Sequence, residues 1–265
     1  MSYEKYISAG SKLRKIDKEK NVLIIHYACE KFGGVSGNDI SKIVTIEIFS
    51  RESNQTTSFS IHTKAQLLKI TVDKIVENYD YIEKLMLDDF YEFVNKNSSN
   101  TVWVHWNLRN DVYGFKAIEL RYKILGGNPS VLIDSQKYDL GEILKDRYGY
   151  NYVDHPRLKN LIEMNKFNDK NFVTGEDEAE LFKKQEFEKI HLSCLTKVRG
   201  LYNTLEYAIH NKLVTKSKWT YPLGGFSPKA IKEFFQSNWM LAILYFIFTI
   251  IIGGVIGYFI SKILG

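Results

Sequence analysis

A polar stretch at residues 104–115 (VHWNLRNDVYGF) contains side chains that could bind a nucleic acid. Trp106 offers a flat aromatic ring that can stack on a base. Arg109 either forms a solvated ion pair with Asp111 or contacts a phosphate, because a guanidinium accepts either partner. Packing at the end of a strand is the alternative role for Trp106.

One histidine interrupts an apolar run near the N-terminus. His26 lies within residues 21–28 (NVLIIHYA), which have strand length and are rich in Ile and Val. Such a histidine either makes a hydrogen bond within the core or binds a metal, and imidazole suits zinc or manganese better than magnesium. Cys29 and Cys194 are far apart, so they predict no zinc pattern and fit a reducing compartment.

The composition permits one domain with a full core and gives only a weak charge signal. The 265 residues include 36 Lys and Arg against 31 Asp and Glu, for a net charge of +5. That balance is weaker than a dedicated nucleic-acid binder shows, although a local groove could still be basic. The first 20 residues are polar and lack the apolar core of a secretory signal.

The hydrophobic pattern predicts strands and helices in a defined order. Strands are expected at 21–28, 43–50, 57–62 and 101–106, and helices at 73–97, 113–125, 139–148, 156–164 and 177–211, the last interrupted near Gly200. The second and third strands form a hairpin. This order predicts an α/β fold with a mixed sheet, in which the strand after the crossover helix is parallel to the first.

This order resembles the ribonuclease H-like fold, and short motifs over about residues 20–195 resemble the DEDD-type 3′–5′ exonucleases. That family carries His-Asn, three residues and Asp after its fourth strand; Asn107 and Asp111 have this spacing, and Trp106 replaces the His. Residues 175–182 (GEDEAELF) resemble the start of the last helix, with Glu178 at the place of an Asp. The resemblance implies that Asp111 and Glu178 bind metal. Trp106, Asn107 and Arg109 are the candidate nucleic-acid contacts.

The first strand departs from the family pattern. The family ends this strand with Asp-x-Glu, whereas residues 26–28 read HYA, and Glu30 follows two residues later. Two-metal phosphodiester hydrolysis needs about four carboxylates. Asp111, Glu178 and Glu30 are the catalytic candidates and supply at most three, with Mg²⁺ or Mn²⁺ as the cofactor of a catalytic site. Asp111, Glu178 and His26 are the candidate metal ligands.

The C-terminal segment predicts a membrane anchor. Residues 239–261 carry no charge and, as a helix, would reach about 34 Å, slightly more than the bilayer core of roughly 30 Å. Lysines are more frequent on its N-terminal side, which predicts a single-pass protein of the cell membrane with its large domain in the cytoplasm. Gly253 and Gly257 have the spacing of a helix-association motif, which favours a homo-oligomer; the alternative is that glycine is simply common in membrane helices.

The predicted organisation leaves three functions open. It comprises an N-terminal polar segment (1–20), a ribonuclease H-like domain (21–213), a linker (214–227) and a transmembrane helix (228–265). The first function is a binding or sensing module with a degenerate exonuclease-like site, acting as a membrane effector in phage defence. The second is an active metal-dependent exonuclease tethered to the membrane. The third is a scaffold that recruits a protein partner to the lipid bilayer. The expected ligand is a nucleic acid, a nucleotide or a protein for the first function and a nucleic acid for the second.

Overall fold

A computed structural model describes residues 3–31, 40–108, 113–217, 243, 246–254 and 262. Its strands are β1 (Val22–Cys29), β2 (Ile43–Ser50), β3 (Gln55–Ser60), β4 (Val102–His105) and β5 (Lys137–Asp139). Its helices are α1 (Tyr3–Lys18), α2 (Ile61–Leu67), α3 (Tyr79–Lys96), α4 (Phe115–Ile124), α5 (Leu140–Tyr148), α6 (Arg157–Met164), α7 (Gly175–Lys183) and α8 (Phe187–Ile209).

The five strands form one mixed sheet in the order β3-β2-β1-β4-β5. β2 is antiparallel to both β1 and β3, and β1, β4 and β5 are parallel to one another. β1 and β4 are buried on both faces, which explains the continuous apolar run of β1. The predicted α/β fold with a mixed sheet is confirmed, including the strand after the crossover helix that is parallel to β1.

Two apolar cores cover the two faces of the sheet. One face packs against α2, α3 and α4, and its core includes Leu23, Ile25 and Trp103. The other face packs against α1, α5, α6 and most of α8, and its core includes Val22 and Ile24. Residues 22–25 of β1 therefore alternate between the two cores, as the two-residue period of a strand requires.

The transmembrane part of the predicted fold is wrong for the described residues. None of the helices they form is both long and apolar enough to cross a bilayer. Within the predicted span the structure describes a helical stretch at residues 246–254. Gly253 lies in this stretch, and a Cβ added there would meet no atom of the described residues within 4 Å. Gly257 and most of the predicted anchor lie outside the described residues.

Candidate functional site

A cleft opens where the three parallel strands end. The parallel register sets Ile25, His105 and Asp139 side by side, so the residues that follow them meet at one edge of the sheet. Open α/β sheets bind ligands at this edge. The cleft has a volume of about 770 Å³. We call it the strand-end cleft, and its lining includes His26, Trp106, Asn107, Tyr113, Asp139, Gly141, Glu142, Tyr152, His155, Pro156, Arg157, Leu158, Lys159, Phe172, Thr174, Gly175, Glu176 and Lys197.

His26 lies at the base of the strand-end cleft, on the face of β1 that α8 covers. Its side chain is buried, and its Nδ1 has no hydrogen-bond partner among the described residues. Burial, together with the nearby ammonium of Lys197, lowers the pKa of His26 well below its ordinary value. The imidazole is therefore neutral at pH 7 and can offer a hydrogen bond to a ligand.

A buried ion pair connects α7 to α8 next to His26. The Nζ of Lys197 lies 2.6 Å from Oε1 of Glu178, and Ser193 Oγ donates to the same oxygen at 2.8 Å. The side chains of Glu178 and Lys197 are 0% and 6% exposed. Burial raises the pKa of Glu178, although Lys197 and Ser193 act against this shift. Lys197 thus supplies to this carboxylate the positive charge that a metal ion would otherwise supply.

Asp139 has a structural role at the rim of the strand-end cleft. It is the N-cap of α5, and its Oδ1 accepts from the backbone N–H of Glu142 at 3.3 Å. The same oxygen accepts from the N–H of Asn107 at 3.3 Å. Asn107 has a positive φ of 58°, which asparagine tolerates better than most residues. These bonds fix the turn after β4 and so position Trp106 beside Gly141 of α5, whose added Cβ would lie 3.7 Å from the indole.

Aromatic and cationic side chains contribute to the lining of the strand-end cleft. The Arg157 guanidinium lies 4.7 Å from the ring centroid of Tyr150, and its Nη2 donates to the Tyr150 carbonyl at 3.3 Å. Tyr152 is fully buried, and neither its hydroxyl nor Arg157 Nε has a partner within the described part of the chain. Lys197 Nζ lies 5.2 Å from the ring centroid of Phe172. Such groups suit a ligand with both a flat ring and an anionic group.

The structure brings together only some of the predicted site residues. His26, Trp106 and Asn107 line the strand-end cleft, and Glu178 lies buried beside it. Glu30 follows β1 outside the described lining; its charge acts on Tyr79 and Cys29 instead. Arg109 and Asp111 lie outside the described residues.

The residues that are described do not fit a two-metal centre. No group of three or more His, Cys, Asp or Glu side chains among them could hold a metal ion. His26 stands in β1 where the resemblance expects a carboxylate, and the Glu178 carboxylate is bound by Lys197. Neutral imidazole and an ion-paired carboxylate cannot offset the charge of two Mg²⁺ ions.

Tyr152, Arg157 and Lys197 are lining residues of the strand-end cleft that were not predicted from the sequence. Tyr152 and Arg157 come from a loop and a helix start that only the tertiary fold brings to β1. The sequence pattern around Lys197, however, could have indicated a buried charge. Lys197 falls on the apolar stripe of α8 with Ile190, Cys194 and Leu201, and a lysine inside such a stripe needs a buried partner.

A second buried polar cluster lies under α8, farther from the strand ends. Glu47 of β2 pairs across the sheet with His26 and is fully buried. Thr45 Oγ1 and Ser58 Oγ each donate to one of its carboxyl oxygens at 2.5 Å, and His191 Nδ1 lies 3.6 Å away. Burial raises the pKa of Glu47 to about 8 and lowers the pKa of His191 to about 4. Both groups are therefore neutral near pH 7.

The two cysteines are buried free thiols. Burial raises the pKa of Cys29 to about 12, and its Sγ donates to the Lys31 carbonyl at 3.3 Å. A thiol with this pKa is a packed side chain and not a nucleophile at neutral pH.

No model of a known protein family matches this sequence, and no curated protein matches it. The chemistry of the strand-end cleft therefore rests on its own geometry.

Proposed function

We propose that this chain is a binding module of ribonuclease H-like architecture that holds the end of a single-stranded nucleic acid, or a nucleotide, in the strand-end cleft without hydrolysing it. The observation that carries the proposal is the buried ion pair of Lys197 with Glu178. A carboxylate that serves a metal must be accessible and free to coordinate. This one is buried, hydrogen-bonded by Ser193 and neutralised by a fixed ammonium.

The sheet supports the architectural part of the proposal. A hairpin precedes the crossover helix α3, and β4 and β5 then extend the sheet in parallel beyond β1. This is the arrangement expected for a ribonuclease H-like domain. The strand-end cleft lies at the edge of the sheet where such a domain would place its metal ions.

The aromatic lining supports a nucleic-acid ligand. Trp106, Tyr113 and Phe172 line the strand-end cleft, and Trp106 is half-buried. Stacking of a base on an aromatic side chain contributes about 1–3 kcal/mol and tolerates any base. Arg157 and Lys159 on the same lining provide charges for a phosphate.

A titration of a fluorescein-labelled octanucleotide with the full chain in EDTA, followed by anisotropy, tests this function. We expect binding without metal, and we expect Trp106→Leu to weaken it about tenfold because the stacking surface is lost while an apolar side chain remains. Tyr81→Leu is the matched control, since Tyr81 is an exposed aromatic residue on α3, which packs against the opposite face of the sheet. Absence of binding by the wild-type chain, or equal affinities for wild type and Trp106→Leu, would overturn the proposal.

A further inference from the structure

Three helices begin at the strand-end cleft. Residues of the first turn of each helix belong to its lining: Gly141 and Glu142 of α5, Arg157 of α6 and Gly175 of α7. The N-terminus of a helix carries a partial positive charge and unpaired backbone N–H groups, which attract anions. These helices have nine, eight and nine residues, so each has a complete first turn.

Only α6 begins without a capping side chain. Asp139 caps α5, and Thr174 caps α7 by accepting from the N–H of Asp177 at 3.3 Å. Proline, which has no side-chain acceptor, stands at the N-cap of α6. The three residues that follow, 157–159, all line the strand-end cleft, so the first turn of α6 faces it.

The charged residues in these first turns also distinguish α6 from α5 and α7. The first turns of α5 and α7 contain acidic residues, including Glu142 and Glu176, whereas the first turn of α6 contains none. It carries Arg157 and Lys159 instead. Cations are unfavourable at a helix N-terminus, and a bound anion would offset this repulsion.

Unpartnered polar atoms at the same place give an independent indication of a ligand. Tyr152 is 0% exposed and its hydroxyl has no partner in the described part of the chain, although it lines the strand-end cleft. Arg157 Nε, from the first residue of α6, is likewise buried and unpartnered there. A buried hydroxyl or N–H without a partner is costly, and a ligand oxygen would satisfy both.

We propose that the first turn of α6, with Arg157 and the Tyr152 hydroxyl, binds a phosphomonoester: the terminal phosphate of an oligonucleotide or of a nucleotide. This inference rests on the proposed function and specifies the terminal group of the ligand. A monoester carries a charge of about −1.5 to −2 at pH 7 and three acceptor oxygens, whereas a diester inside a chain carries one charge. The same site would also take free inorganic phosphate.

Burial, with smaller contributions from the charges of Asp139 and Glu142, raises the pKa of the Tyr152 hydroxyl, which therefore stays protonated and can donate to an anion. Asp139 is engaged in capping α5, and Glu142 forms an ion pair with Lys145 at 2.5 Å. Glu176 is exposed in the first turn of α7. These groups belong to the starts of α5 and α7, whereas the first turn of α6 carries no acidic residue.

Competition between matched oligonucleotides tests the inference in the full chain. A bound labelled octanucleotide is displaced by unlabelled octanucleotides of one sequence that end in a 5′-phosphate, a 3′-phosphate or neither. We expect one phosphorylated form to displace the label at about tenfold lower concentration than the unphosphorylated form. Tyr152→Phe and Arg157→Gln should reduce this ratio towards one, while Tyr81→Phe, which removes an exposed hydroxyl on α3, should leave it unchanged. Equal displacement by all three oligonucleotides would overturn the inference and leave the proposed function standing.

Thermal unfolding with inorganic phosphate gives a second readout that does not depend on oligonucleotide binding. We expect millimolar phosphate to raise the Tm of the wild type and of Tyr81→Phe, and not that of Tyr152→Phe, whereas sodium chloride of equal ionic strength should raise none of them. If no oligonucleotide binds but phosphate stabilises the wild type in this pattern, the proposed function fails and the phosphate site stands. If phosphate stabilises wild type and Tyr152→Phe equally, the assignment of the site is wrong.

Discussion

The Nζ of Lys197 in α8 lies 2.6 Å from Oε1 of Glu178 in α7, and both side chains are buried. This ion pair fixes two helices against the base of the strand-end cleft and places a cation beside His26. Because of this ion pair, the Glu178 carboxylate, a metal ligand predicted from the sequence, is already bound to Lys197.

Removing the cation alone should destabilise the fold strongly. We expect Lys197→Met to lower the free energy of unfolding by about 3–5 kcal/mol, because it leaves a buried carboxylate unpaired. The double variant Glu178→Met/Lys197→Met should recover most of this loss, since two apolar side chains of similar volume replace the pair. Urea denaturation measures both. A single variant that unfolds within about 1 kcal/mol of wild type would contradict a buried, tightly coupled pair.

Glu47 should make stability depend on pH. Its pKa is raised from an ordinary 4.5 to about 8 by burial, so the folded chain binds more protons than the unfolded chain between these values. The stabilisation is complete below about pH 4.5 and is lost as the pH rises through 8, at up to about 1.4 kcal/mol per pH unit. Glu47→Gln, whose amide stays neutral and can still bond Thr45 and Ser58, should remove this slope.

Urea titrations of the wild type and Glu47→Gln at pH 5, 6, 7 and 8 measure the effect. His191 and Cys194 face Glu47 from α8; the pKa of the imidazole is about 4 and that of the thiol is raised well above its ordinary value, so both stay neutral across this range. Parallel pH slopes for the two chains would show that Glu47 is ionised in the folded state and would contradict this prediction.

Loss of the hydroxyl should change the free energy of unfolding differently at two buried tyrosines. Tyr79 OH donates to the Ile43 carbonyl at 2.9 Å, so Tyr79→Phe should lower the free energy of unfolding by about 1 kcal/mol. The Tyr152 hydroxyl has no partner within the described residues, so Tyr152→Phe without ligand should leave stability unchanged or raise it slightly. Equal losses in both variants would mean that Tyr152 has a partner in the ligand-free chain.

Gly200 sets the distance between α8 and α6. A Cβ at this position would lie 2.4 Å from Cδ1 of Ile162, a side chain that is itself fully buried. We expect Gly200→Ala to destabilise by about 1–3 kcal/mol, because overpacking outweighs the gain of about 1 kcal/mol in helix propensity. Ile162→Val in the same chain removes that Cδ1 and should restore part of the loss. Denaturation of the single and double variants tests this, and a stabilised Gly200→Ala would contradict the close contact.

The sequence predicted the elements whose local pattern is strong. Alternation and β-branched residues located β1 and the β2–β3 hairpin, and helical spacing located α3 and α4. β5 was missed because three residues carry almost no periodic signal. α1 was missed because its buried residues, Ala9, Leu13 and Ile16, are few within a highly charged sequence.

The interruption predicted at Gly200 was also wrong. Glycine is a poor helix former, but Gly200 lies inside α8. A glycine is needed at this position because Ile162 approaches too closely for a Cβ. The break occurs instead between α7 and α8, where Gln185 adopts a φ of +59°.

The candidate site was predictable only where it lies at the end of a strand. His26, Trp106 and Asn107 adjoin strands that were predicted, so their meeting follows from a parallel sheet. Arg157 and Tyr152 reach the same cleft only through the tertiary packing of α6 and its preceding loop, which no local pattern encodes. Glu178 was chosen by resemblance, and its burial under Lys197 depends on how α7 packs against α8.

Incubation of the full chain with a labelled octanucleotide, in EDTA and in Mn²⁺, tests the central claim most directly when binding and chain length are both followed. Binding by charged and aromatic groups, with Lys197 in place of a metal, predicts equal affinity in the two conditions and an intact oligonucleotide in both. Shortening of the oligonucleotide that requires Mn²⁺ would contradict the claim and identify the chain as a nuclease.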